Sequence, residues 1–284
     1  MTSTTNSENK TTVAYLGPPG TFSHQIAYER FGDDAVYIQQ KQITDVFEAV
    51  EKKEAIYGVV PYENSTFGSV VETLDYTIHT TANVIGETFL TVHQCLLSKS
   101  PLDKITKVYS HPQALGQSQK WLSANLPQAT RIPVKSTAQA AEIATKEEGS
   151  AAICSEICSQ LYGLNVVAKN IEHGKANTTR FLIISLTTNH HITNDDHTLL
   201  QFTVDHQQPG ALCDGLKVFK DHHLNLYNID SRPSGLRPWH YVFFIECSGH
   251  HLSDQLQKAI IHLNQYCLNV KVLGSFSNQR KNIH

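Results

Sequence analysis

The sequence carries little excess charge of either sign: 23 Lys and Arg stand against 26 Asp and Glu, a formal net charge of −3. That excludes the basic face a nucleic-acid partner requires. No run of about 18 apolar residues occurs, so no membrane span is expected. The opening MTSTTNSENKTT lacks an apolar centre and does not read as a secretory signal; residues 1–11 read as a disordered tail. The six cysteines (95, 154, 158, 213, 247 and 267) include no CxxC pair, which leaves a zinc site or redox motif without support. Cys154 and Cys158, four apart, share one face of an expected helix start and read as buried small hydrophobes. Sixteen histidines include the adjacent pairs His190-His191, His222-His223 and His250-His251. Neighbours point to opposite faces of a strand, or about 100° apart on a helix, so such pairs chelate poorly and read as solvated surface.

What is present is enough chain, 284 residues, for two or three domains. Hydrophobic residues at 40% and charged residues at 17% fit a globular protein. Over the first two thirds, strand and helix signals alternate. VAYLG precedes a helix over 22–31 with Thr21 as N-cap, AVYIQ precedes TDVFEAVEKK capped by Thr44, and YGVVP precedes SVVETLDYTI. NVIGETFLTVHQCLL reads as extended segments. KVYS, RIPV and SAAIC then lead into helices over 112–124, 137–147 and about 155–162, and NVVAKN is a strand. This predicts an α/β architecture with mostly parallel sheets. Ser110 with Gln113 and Ser136 with Gln139 have capping-box spacing. Helix N-termini that follow strand ends suit a small anion.

TTNHHITNDDH (187–197) is polar and aperiodic, a linker signal. Beyond it come the strand LLQFTV, a helix from Pro209-Gly210, the strands LNLYNIDSRPS and WHYVFFIECSG, the amphipathic LSDQLQKAIIHLNQYC and the strand LNVKVLGSF. That order, β-α-β-β-α-β, predicts a ferredoxin-like unit.

Four stretches are polar where a plain fold needs no polarity. YLGPPGTFSHQIA (15–27) is strand, Gly/Pro turn and helix, so Gly17, Gly20, Thr21 and Ser23 either hold a ligand against backbone amides or only make a tight turn. VVPYENSTFGSVVETLD (59–75) puts Glu63 and Asn64 at the end of a buried strand, for a ligand or for a capping loop. YSHPQALGQSQKWL (109–122) offers Ser110, His111 and Gln117, or a capped helix with an exposed face. NTTRF (177–181) sets two hydroxyls and an arginine in front of an apolar strand, as a site rim or as a polar strand end.

In this order YLGPPGTFS, PYENSTFGSV, SHPQALGQ and NTTRF resemble the prephenate dehydratase family. PGAL (209–212) and DSRP (230–233) resemble the phenylalanine-binding signatures of its regulatory ACT domain. The resemblance runs from about residue 12 to the end. It implies a bilobed, periplasmic-binding-protein-like catalytic region at 12–187, with lobe one at 12–89 and 178–187 and lobe two at 90–177. A linker at 188–196 and an ACT domain at 197–284 follow.

The implied activity is the decarboxylating dehydration of prephenate to phenylpyruvate in phenylalanine biosynthesis, with no cofactor or metal. Cytoplasmic location, feedback inhibition by phenylalanine and a homodimer or homotetramer joined through ACT domains are implied too, with neither nucleic acid nor membrane as partner. Thr179, Glu63, Asn64 and Gln117 are the implied catalytic residues. Thr21, Ser23, Ser110, Thr178, Arg180 and Phe181 are implied to bind substrate, and Gly210, Ala211, Leu212, Asp230, Ser231, Arg232 and Pro233 to bind phenylalanine.

Thr179 is implied to assist the leaving hydroxyl, with Glu63 a rival if burial keeps it protonated. Arg180 either clamps a carboxylate or pairs with an acidic neighbour. Asp230 stands where the family has glutamate, a shorter arm. Arogenate dehydratase and a non-catalytic small-molecule receptor on the same fold are the alternatives, and no further catalytic domain is expected ahead of position 12.

Overall fold

A computed structural model describes residues 10–174 and 177–280. The expected tail over 1–11 lies mostly outside the described residues, as do Lys175 and Ala176. In chain order the elements are β1 (Thr12–Leu16), α1 (Phe22–Phe31), β2 (Val36–Gln40), α2 (Ile43–Glu51), β3 (Tyr57–Asn64), β4 (Gly68–Ser69), α3 (Val71–Thr77) and β5 (Asn83–Thr91). There follow β6 (Cys95–Ser98), β7 (Lys107–Ser110), α4 (Pro112–Gln117), α5 (Gln119–Asn125), β8 (Thr130–Pro133), α6 (Thr137–Lys146), β9 (Ser150–Cys154), α7 (Ile157–Tyr162), β10 (Asn165–Ala168) and β11 (Thr178–Ser185). The last run is β12 (Asp196–Thr203), α8 (Ala211–Asp221), β13 (Leu226–Pro233), β14 (Tyr241–Ser248), α9 (Asp254–Leu263) and β15 (Leu268–Ser277).

Two compact units result. The first holds Tyr15–Gln42 and Leu90–Thr179; the second holds Thr11–Ala14, Ile43–Phe89 and the chain from Arg180 on. Residues 15–42 group with 90–179, where the Gly20 carbonyl accepts hydrogen bonds from the Ser155 hydroxyl at 2.7 Å and the Cys158 thiol at 3.3 Å.

The first unit is built on a five-stranded sheet ordered β10-β6-β9-β7-β8. Cys95, Leu97, Ala152 and Cys154 pack on one face with Ala140, Ala141 and Ala144 of α6 and Cys158 of α7. Leu96, Val108, Ala151 and Ile153 pack on the other with Ala114 and Leu122 of α4 and α5. Covered on both faces, β9 has to be apolar throughout, which is why it reads SAAIC. The sheet is mixed, not mostly parallel: β7 is parallel to β8 and β9, while β6 is antiparallel to β9 and β10. Parallel pairs occur where α4, α5 and α6 supply the long crossovers such pairing needs.

Thr21 caps α1 as expected, its hydroxyl accepting from the His24 N–H at 3.3 Å. Ser136 caps α6, accepting from the Gln139 N–H at 3.1 Å. Three local expectations fail. α4 is capped by the His111 ring rather than by Ser110, α2 begins at Ile43, ahead of Thr44, and the helix expected over 112–124 breaks at Ser118 (φ −99°, ψ 5°).

In the second unit β1, β3, β11 and β5 are successive neighbours and β4 pairs antiparallel with β3. Val46, Phe47 and Val50 of α2 and Leu74 of α3 are buried beside them. The remaining sheet, β13-β14-β12-β15, is antiparallel between neighbours, and with α8 and α9 it is the expected ferredoxin-like unit. Leu200, Phe202, Ile245 and Cys247 pack on one face against Val218 and Phe219 of α8 and Leu256, Ala259 and Leu263 of α9. β12 starts at Asp196, inside the expected linker, where the Asp196 carboxylate accepts the N–H and hydroxyl of Thr193, each at 2.6 Å.

The opposite face of this sheet meets the segment that leads into β5. Gln201 Nε2 donates to the Ile78 carbonyl at 3.1 Å and Lys271 Nζ to the Thr80 carbonyl at 2.5 Å. At Gly274 a Cβ would lie 2.7 Å from the Val84 carbonyl carbon and closer still to its oxygen, so the backbones approach as only glycine permits.

Candidate active site

In the first unit Asn177, Thr178 and Thr179 lead into β11. The Asn177 carbonyl accepts from the Val92 N–H at 2.7 Å, and the Thr178 and Thr91 hydroxyls lie 3.3 Å apart. Strand alternation sends Thr179 to the opposite face from Thr178. The 17–21 loop is pinned: Gly20, at φ +86°, donates its N–H to His24 Nδ1 at 3.2 Å, and a Cβ there would stand 2.7 Å from Cys158 Sγ. His24 stacks on Tyr15 at 4.5 Å; burial pushes the imidazole pKa down and, with Tyr162 nearby, the Tyr15 phenol up to about 12.

Several residues expected to bind substrate already have structural work here. The Thr21 hydroxyl donates to the Leu16 carbonyl at 3.0 Å while it caps α1, and Ser23 is buried. Ser110 is fully buried and gives its hydroxyl to the Ile153 carbonyl at 2.6 Å, tying β7 to β9. The Gln117 side-chain oxygen accepts from Gln94 Nε2 at 3.3 Å, and its backbone carbonyl accepts from the His173 N–H at 2.7 Å.

In the second unit Glu63 and Asn64 end β3. Asn64 Oδ1 accepts from the N–H groups of Thr66 at 2.9 Å and Phe67 at 3.1 Å, an Asx turn that fixes which end of the amide is the donor. The Glu63 side chain is 39% exposed and lies 3.8 Å from Arg180 Nη1. Phe181 is 2% exposed and lies in the core.

Arg180 is also 2% exposed. Its Nε donates to Glu87 at 2.7 Å, and its Nη1 and Nη2 donate to the two oxygens of Glu246 at 2.6 and 2.9 Å. The rings of Tyr62, Phe89 and Phe276 lie 5.2, 5.9 and 5.9 Å from its guanidinium carbon. Of the two uses open to this arginine, the structure displays the pairing with acidic neighbours. Glu246 also accepts from His197 Nδ1 at 2.6 Å and from Arg280 at 3.2 Å. Burial pushes the Glu246 carboxyl up, but hydrogen bonds from His197 and Arg180 and the two arginine charges outweigh it and hold the pKa down at about 2.

None of Ser69, Asp75, Glu87, His197 and Glu246 was singled out in the sequence. The available signal was an acid inside an apolar run, as in FFIECS (243–248), because a buried carboxylate demands a partner.

The C-terminal signatures divide. Gly210 caps α8 at φ +84°, Ala211 is buried and Leu212 packs on the core. The Asp230 carboxylate accepts from the Ser69 hydroxyl, with both oxygens at 3.0 Å, and Arg232 grips Asp75 through two bonds of 2.6 and 3.0 Å. Ser231 and Pro233, on the alternate side of β13, are exposed. Among the described residues no group of three or more His, Cys, Asp or Glu could hold a metal ion, and no helix is long and apolar enough to cross a membrane.

Helices and mixed sheets followed by a ferredoxin-like module define an α/β protein with an appended C-terminal domain. The family model described as "Prephenate dehydratase" matches residues 13–189. The bifunctional chorismate mutase/prephenate dehydratase of Aquifex aeolicus (strain VF5) is 43% identical over 270 residues, covering 95% of this chain and 74% of its own length. The chain therefore belongs to the prephenate dehydratase family of enzymes. The crystal structure of prephenate dehydratase from Arthrobacter aurescens in complex with L-Phe superposes with a TM-score of 0.81 at 30% identity, covering 95% of this chain and 91% of that one. GqqA, described as a novel type of quorum quenching acylase, has a TM-score of 0.84 at 24% identity, covering 95% and 99%. That likeness concerns the fold alone, and a fold can carry more than one chemistry.

Proposed function

We propose that this chain converts prephenate to phenylpyruvate, carbon dioxide and water, with Thr179 assisting departure of the ring hydroxyl and phenylalanine acting as feedback inhibitor. The observation that carries the reading is the family match over 13–189, which takes in all four polar stretches from YLGPPGTFS to NTTRF.

Prephenate has two carboxylates and one hydroxyl to expel. Loss of the ring carboxylate as carbon dioxide leaves its bonding pair to push into the ring, and the hydroxyl leaves from the far side as aromaticity forms. Only interactions stronger in the transition state than in the ground state accelerate this step. A cation held on the departing carboxylate would stabilise the wrong state. Arg180, bound to Glu87 and Glu246, supplies no such grip. Asn64 and Gln117 are neutral donors able to orient the anion without fixing it too firmly. The Thr179 hydroxyl donates a hydrogen bond to the leaving oxygen as negative charge develops there. Phenylalanine binding falls to the helix start at Gly210–Leu212 and the exposed Ser231 and Pro233, because Asp230 and Arg232 are engaged within the chain.

The test is formation of phenylpyruvate from prephenate, with and without phenylalanine, by wild type, Thr179→Ala and Thr179→Ser. A positioned donor contributes about 10²–10⁴-fold. Thr179→Ala should therefore lose most turnover while substrate binding changes little, and Thr179→Ser should retain part. Retention of more than about a tenth of wild-type turnover by Thr179→Ala rejects the donor role.

A further inference from the structure

We propose that Glu246, in the ferredoxin-like domain, is a positioning residue for the reaction: it sets the Thr179 hydroxyl by holding Arg180. The proposal rests on the reading of Thr179 given above.

Arg180 is the next residue along β11 after Thr179. Its guanidinium is held at three points, by Glu87 through Nε and by both oxygens of Glu246, inside the walls formed by Tyr62, Phe89 and Phe276. A bidentate arginine–carboxylate pair fixes direction as well as distance. The other neighbour of Thr179 is held too, Thr178 lying against Thr91 and Asn177 bonding to Val92. Side chains alternate along a strand, so holding 178 and 180 on one face determines where 179 points on the other.

Glu246 is itself fully buried and held by His197 and Arg280, while the His197 ring stacks on Tyr227 at 4.1 Å. Such a network is poorly explained by stability. Buried ion pairs often contribute no more than well-packed hydrophobic residues would, whereas a wrong charge among them is costly. What the network supplies is one geometry. A displacement of about 1 Å at a reacting group is enough to cost on the order of 10²-fold in rate.

The test is a double-mutant cycle in the full chain. Glu246→Gln keeps the size of the side chain but turns an amide donor toward the guanidinium. It should lower kcat on prephenate by about 10- to 100-fold with KM within about threefold, in protein whose folded fraction is verified by circular dichroism at the assay temperature. Placed in the Thr179→Ala background, Glu246→Gln should cause little further loss, because the interaction it positions is already gone. Should Glu246→Gln fold poorly, Glu246→Asp keeps the charge on a shorter arm and should give a smaller loss with the same non-additivity. Wild-type kcat in the folded Glu246 variant, or losses that multiply in the double variant, overturns the positioning role while an inactive Thr179→Ala leaves the donor reading standing. An active Thr179→Ala rejects the donor reading itself, and the proposal with it.

Discussion

Substituting Gly274 by alanine tests the tightest approach in the second unit. Gly274 follows an irregularity in the β12–β15 ladder, where Leu199 pairs with Gly274 but Leu200 pairs with Val272. Its φ is +155°, and a Cβ would stand 2.7 Å from the carbonyl carbon of Val84 and 2.9 Å from its nitrogen. These are backbone atoms of β5 and cannot swing aside as a flexible side chain would. Overpacking of this kind costs about 1–3 kcal/mol, and a backbone conformation that side chains rarely adopt adds roughly 1–3 kcal/mol. Gly274→Ala should therefore lose about 2–6 kcal/mol, read as a lower urea midpoint by circular dichroism. At about 2–4 °C per kcal/mol for chains approaching this size, Tm should fall by roughly 4–24 °C. Gly116→Ala is the control: Gly116 lies in α4 with nothing within 4 Å of its Cβ position, so alanine there should be neutral or slightly stabilising. If the two variants unfold alike, the close seating of β15 on β5 is wrong.

Acid titration of stability should reveal Glu246. Its carboxyl is held at about 2 against an ordinary 4.5, so the unfolded chain binds the extra proton first. Its contribution, roughly 3 kcal/mol, is fully present above about pH 4.5 and is lost as pH falls toward 2. Glu246→Gln should flatten that part of the stability profile, and an unchanged slope between pH 4.5 and 2 refutes the assignment. Gly20→Ala should lower stability by about 2–3 kcal/mol, through the left-handed backbone and the contact with Cys158, measured by urea unfolding. Restoration by Cys158→Ala in the same chain would separate contact from backbone strain, and no loss at all would mean the loop is not pinned as described.

How much of this was legible in the sequence varies with the range of the interaction. The ferredoxin-like order was readable because each element is announced locally, by Pro209-Gly210 at a helix start, by the apolar run in YVFFIECS and by the amphipathic LSDQLQKAIIHLNQYC. Thr21 and Ser136 were readable caps because an N-cap bonds within three residues. The bond from Ser110 was not readable because its partner, the Ile153 carbonyl, comes from a strand 43 residues later. Arg180 could not be assigned for the same reason: Glu87 and Glu246 lie 93 and 66 residues away. The break at Ser118 falls where Gly-Gln-Ser-Gln-Lys interrupts the apolar positions between Leu115 and Trp121. The catalytic candidates, Thr179, Glu63, Asn64 and Gln117, were found through motif order across the chain and not through any one motif.

The bonds from Ser69 to Asp230 and from Asp75 to Arg232 bear on modular exchange. A C-terminal domain grafted from another protein at the 188–196 segment would have to match positions 230, 232 and 246 and carry a glycine at 274. A mismatch at 246 strands a buried arginine; a mismatch at 274 collides with the strand beneath. The polar linker is therefore not the seam of exchange: a working chimera would have to carry β4, α3, β5 and Arg180 of β11 along with the domain they contact.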